Sequence, residues 1–120
     1  MIVVALAIIV AIPAILLSRR SKLPSDSQGR LAVQTMVSDL HGLVMAEQAT
    51  KQIRGKYSVD PVDAGLISSP GVTVPVITLV DTGWTATIGV KARPELKCAV
   101  AVHARNPLKR FANSGEIVCE

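Results

Sequence analysis

The chain has 120 residues, of which 49% are hydrophobic and 18% charged, with a formal net charge of +4 and two cysteines. That length admits one small domain with an appendage and excludes a multidomain enzyme; the apolar content excludes intrinsic disorder, and two cysteines exclude a disulfide-dense mini-protein. Every charged residue lies beyond Leu17, so the sequence divides into an apolar first segment and a soluble remainder.

Residues 1–17, MIVVALAIIVAIPAILL, hold no charged or polar side chain and predict a transmembrane and assembly helix. As a helix they would reach roughly 25 Å, slightly short of a bilayer core, so residues upstream of Met1 are expected to complete the span. A cleaved signal peptide is the alternative, although the basic start and small-residue cleavage site of such a peptide are missing. Pro13 removes a hydrogen bond within the segment, which predicts a kink relieved by neighbouring helices; a tolerated membrane proline is the plain alternative.

Arg19, Arg20 and Lys22 follow, and by the positive-inside rule they place the domain in the cytoplasm. Cys98 and Cys119 point the other way, because two thiols near the end of a small domain read as one structural disulfide of an oxidising compartment. Two buried free thiols are the other reading. A basic leader ahead of Met1 would reconcile both signals with a domain outside the cytoplasm.

Residues 18–29 read as a basic juxtamembrane hinge, in which Pro24 gives a second kink and Ser25 or Asp26 can cap the next helix. From Arg30, the positions Val33, Met36, Val37, Leu40, Leu43, Val44 and Ile53 recur at helical intervals, with Asp39, Gln48 and Lys51 between them. This spacing predicts an amphipathic helix over 30–55, capped by Gly55 and complemented by Lys51 and Arg54 in its last turn. Residues 56–70 read as a loop.

Strands are predicted next. Val72, Val74 and Val76 alternate with polar residues and proline in a run that ends at Leu79, and Pro75 places that strand at an edge or a bulge. After the turn Asp81-Thr82-Gly83, Trp84, Ala86, Ile88 and Val90 line one face of a second strand. A third follows Arg93-Pro94-Glu95, with Cys98, Val100 and Val102 opposite Ala99 and Ala101, and the tail returns Ile117 and Val118 beside Cys119. The expected fold class is α+β: a long N-terminal helix, membrane half plus amphipathic half, packed on an antiparallel sheet of three or four strands formed within residues 56–120.

This order resembles the type IV pilin and type II secretion pseudopilin family. The resemblance is carried by Val4 to Ala14, which looks like the membrane helix ending in Ala-Ile-Pro, and by Ala46-Glu47-Gln48-Ala49 ahead of Gly55-Lys56-Tyr57. Further on, Ser69-Pro70-Gly71-Val72-Thr73-Val74, Thr82-Gly83-Trp84-Thr85-Ala86-Thr87 and Lys97-Cys98-Ala99-Val100 are similar to the sheet of small pilin-like proteins. The family's basic leader, glycine cleavage point and Phe-Thr-Leu-Ile-Glu match no residue here, so its processing site and helix-start glutamate are not carried over.

The resemblance implies a structural subunit of a pilus or secretion pseudopilus filament. Such a subunit is held in the bacterial inner membrane, extracted by pilus or secretion assembly machinery, and joined to identical or homologous subunits in a helical filament. The assembly face would be Ile2, Val4, Leu6, Ile8, Ile9, Ile12 and Leu16, and the product an extracellular pilus or a periplasmic pseudopilus. The rival expectation is a single-pass anchored periplasmic binding domain that does not polymerise.

No catalytic constellation is visible. His41 and His103 stand far apart with no cysteine nearby in sequence, and there is no phosphate loop, CxxC or nucleophile elbow. Asp60, Asp63 and Asp81 are scattered, and the tail offers only Glu116 and Glu120, so no metal and no cofactor is expected. Among the basic clusters, Arg19, Arg20 and Lys22 suit anionic lipid, Lys51, Arg54 and Lys56 form a second group, and Arg105, Lys109 and Arg110, which could meet DNA or an acidic partner, read as solvated surface. One Trp, one Tyr and one Phe give little to stack on bases, which argues against a nucleic-acid partner.

Overall fold

The computed structural model describes residues 24–120. Helix α1 (Ser27–Arg54) begins where Asp26, in extended conformation, accepts a hydrogen bond from the Gly29 N–H at 2.9 Å. An N-terminal carboxylate also meets the positive end of the helix dipole. The helix stops at Gly55, whose φ of 77° suits a residue without Cβ and whose N–H donates to the Lys51 carbonyl at 2.8 Å. Pro24 stands two residues before the cap and lies so close to Gly29 that a Cβ there would collide with its ring.

The connecting segment holds one further helical turn, α2 (Pro61–Ala64), capped by the Asp60 side chain and closed by Gly65. Four strands follow as an antiparallel meander: β1 (Val76–Leu79), β2 (Trp84–Val90), β3 (Arg93–Val102) and β4 (Ile117–Cys119), in the order β1-β2-β3-β4. The run predicted from Val72 divides at the buried Pro75, which leaves Val72 in an isolated bridge to Val90 and β1 at the sheet edge. Arg93-Pro94-Glu95 belongs to β3 rather than to a turn, and the ladder slips at Gly89/Val90 opposite this proline, which has no N–H to give. Gly83 is fixed by close approach, since a Cβ on it would run into the Val102 carbonyl oxygen.

One face of the sheet packs on α1. Trp84, Ala86, Ile88 and Val90 alternate inward from β2, Leu96, Cys98 and Val100 from β3, and Ile77 from β1; the helix contributes Met36, Leu40 and Leu43. Cys98 and Cys119 face each other across β3 and β4 and form a disulfide, closing a loop of sequence separation 21. Asn106, within that loop, is buried, its amide donating to the carbonyls of Ala99 and Glu116 and its oxygen accepting from the N–H groups of Leu108 and Lys109.

The architecture is a small α+β domain with a four-stranded antiparallel sheet, and it corrects the expected fold class. The single long described helix starts at Ser27 after an extended cap, so it is not the second half of one continuous helix. Among the described residues no helix is long and apolar enough to cross a membrane. The expected 1–17 segment, with Pro13 and the face Ile2, Val4, Leu6, Ile8, Ile9, Ile12 and Leu16, lies outside the described residues, as do Arg19, Arg20 and Lys22.

Candidate functional site: the two faces of the long helix

Helix α1 presents Met36, Leu40, Leu43, Glu47 and Thr50 to the interior at steps of three and four, a stripe that spans its middle and second half. Two acidic side chains lie among its buried residues. Asp39 is 5% exposed, and its carboxylate accepts from the Ser69 hydroxyl at 2.6 Å and the Ser69 N–H at 3.0 Å. It thereby ties the segment before β1 to the helix, and charge-assisted bonds of this kind are among the stronger ones.

Glu47 is wholly buried. One of its oxygens accepts the Ser58 N–H at 2.8 Å, and the other has no partner among the described residues. Burial pushes its carboxyl above the ordinary glutamate range, the Ser58 N–H opposes that shift, and the nearby Asp63 charge adds to it. Beside it Tyr57 tilts against Trp84 with ring centroids 6.3 Å apart, while the Lys51 ammonium sits over the Tyr57 ring at 5.3 Å. On the same flank Arg54 and Ser58 hold Asp63, whose carboxyl is lowered first by the Arg54 hydrogen bond.

The outer face of α1 is the reverse of the inner one. Between Arg30 and Lys51 the only Asp, Glu, Lys or Arg residues are the buried Asp39 and Glu47, so for about 30 Å of helix the solvent side carries none. In their place stand Leu31 at 63% exposure, Met45 at 60%, Val37, the uncharged amides Gln34 and Gln48, and the small residues Ser38, Gly42 and Ala49, with His41 the one ionisable side chain. Ile53, at 83% exposure, continues the apolar surface into the last turn. A helix that simply met water would normally carry charges on that side.

No protein-family model matches the chain. Neither a curated protein nor a solved structure matches it either. The pilin resemblance therefore rests on the residues that suggested it.

The other sequence candidates are dispersed. His41 lies on the outer face of α1 and His103 follows β3, and no group of three metal-ligating side chains exists among the described residues. Pro24 precedes α1 instead of bending it, and Arg105, Lys109 and Arg110 are exposed in the loop before β4, where Lys109 approaches Glu116 at 3.5 Å. Sequence reading took Asp39 as a solvent-facing position and overlooked Glu47 as an interior one. Counting four on from Leu43 finds Glu47, whereas the rule that carboxylates seek water hides it.

Proposed function

We propose that the chain is a structural subunit that polymerises, in the manner of type IV pilus or type II secretion pseudopilus subunits, with its apolar first segment as the principal adhesive. The observation that supports this reading is the charge-free outer face of α1. It gives an uncharged segment such as residues 2–17 of another copy a surface on which no ion has to be desolvated. A contact between two different surfaces of one chain is heterologous, and if its rotation does not close it propagates as a filament. In this reading the subunit waits in the inner membrane, is handed to an assembly machinery, and contacts homologous subunits rather than nucleic acid.

The test is electron microscopy of envelope fractions from cells producing the full chain. Thin filaments are expected from the wild type and none from Ile8→Arg, whose charge would be stranded among apolar neighbours. Normal filaments from that variant, or strictly solitary wild-type copies, would contradict the reading. The second reading, an anchored domain that binds a partner without polymerising, is favoured by a different feature, the uncapped edge of the sheet at β1.

A further inference from the structure

The two edges of the sheet are finished differently. β4 is three residues long, is flanked by Glu116 and Glu120, and is tied to β3 by the disulfide. β1, at four residues only one longer, has no covalent tie and no charge closer than Asp81 beyond its end: from Gly71 to Val80 there is no charged residue, and Val74, Val76, Leu79 and Val80 are all exposed by 45% or more. Sheet edges are ordinarily blunted by charge, proline, shortness or cover, because unpaired backbone groups recruit strands. Here Pro75 stands before the strand and β1 itself is open.

The register fixes which groups are free. The Val80 N–H donates to the Gly83 carbonyl, so Val80, Thr78 and Val76 face β2 through their hydrogen bonds, while the N–H and C=O of Ile77 and Leu79 point away from the sheet. Among the described residues nothing else takes them. Leu79 also lines a cavity of about 300 Å³ together with Val59, Tyr57, Arg54, Lys56 and Asp63. Arg54 is paired there with Asp63 at 2.6 Å, whereas Lys56 in the same lining makes no ion pair among the described residues.

We propose that the β1 edge is a strand-addition site for an extended apolar segment of another protein that carries a carboxylate where it reaches Lys56. The charge pattern selects this occupant. An uncharged edge accepts alternating apolar side chains, the cavity beside Leu79 receives one of them, and the unpaired ammonium at its rim calls for an acid at that end. Because β1 runs from Val76 towards the cavity, an antiparallel guest begins with its acidic residue. This inference uses β1 rather than the outer face of α1, so it stands or falls apart from polymerisation.

Its test follows backbone amide exchange and affinity in the full chain in detergent micelles, using the acetylated, amidated probe Glu-Thr-Val-Thr-Val-Thr-Val. Exchange at Ile77 and Leu79 is expected to slow on addition of the probe, with Ile117 and Cys119 on the opposite edge unaffected. Leu79→Pro removes one outward N–H without touching the β1–β2 ladder and should abolish that protection. Lys56→Glu should weaken the probe by roughly two- to fivefold and strengthen one that begins with lysine. Unchanged exchange at Ile77 and Leu79 with millimolar probe overturns the proposal. So does protection that grows with protein concentration alone, which would give the edge to a second copy. Should Leu79→Pro fail to fold, the charge preference decides, and a preference that Lys56→Glu leaves unaltered counts against the site.

Discussion

The inner and outer faces of α1 invert the usual arrangement of a surface helix. The carboxylates of Asp39 and Glu47 point in, where they hold Ser69 and Ser58, and the outward side is uncharged, mixing Leu31, Val37 and Met45 with the polar Gln34, Ser38, His41 and Gln48. Asp39 is accounted for by its two bonds to Ser69, whereas Glu47 has one oxygen on the Ser58 N–H and the other without a partner among the described residues. Leu31, Val37 and Met45 on the outer side stay exposed among the described residues, and the proposed assembly contact is built on that contrast.

Substitutions that compare the two faces sharpen the contrast. Leu40→Ala, at a wholly buried position, should cost about 4 kcal/mol of stability, whereas Met45→Ala on the outer side should stay within about 0.5 kcal/mol in urea unfolding. Equal losses would erase the distinction. Removing the Cys98–Cys119 bond through a double serine variant should cost roughly 3 kcal/mol, read in the same assay. Asp39→Ala, which leaves Ser69 without its acceptor, should cost about 2 kcal/mol and speed amide exchange at Ser69.

The smallest effect is a pH dependence. Burial raises the Glu47 carboxyl in the folded state, so the protonated form is favoured there. Its stabilising contribution is complete below the ordinary glutamate range and is lost as pH rises through the raised folded value. Glu47→Gln keeps an acceptor for the Ser58 N–H and has nothing to ionise. It should therefore melt above the wild type at pH 7, with the gap closing as the pH falls towards 4; a gap that widens on acidification would reverse the assignment.

Much of this arrangement was legible in the sequence, for reasons that differ along the chain. The alternation of Trp84, Ala86, Ile88 and Val90 and the turn at Gly83 gave β2 to the residue, because a half-buried strand imposes a period that nothing else mimics. Pro75 announced an edge, and Gly55 announced the end of α1. The expected amphipathic helix begins at Arg30 because Gly29 closes a breaker-rich stretch, whereas α1 takes Gly29 into its first turn behind Asp26, one of the two caps the sequence offers. Asp60-Pro61 carried a cap followed by a first-turn proline, yet one helical turn is too short to show periodicity. Ile53 was assigned inward because it is apolar, but the buried stripe of α1 ends at Thr50, before Ile53 is reached. The candidate face was illegible for a related reason: it is defined by charges that are absent, and an absence shows only once the inward side of the helix is known.

The most direct measurement is a paired assay on Met45→Arg in the full chain, counting thin filaments by electron microscopy and measuring thermal unfolding of the same preparation. The outer face of α1 as a packing surface predicts that filaments vanish while unfolding stays at the wild-type temperature. Filaments in wild-type number, with arginine at the middle of that face, would contradict it.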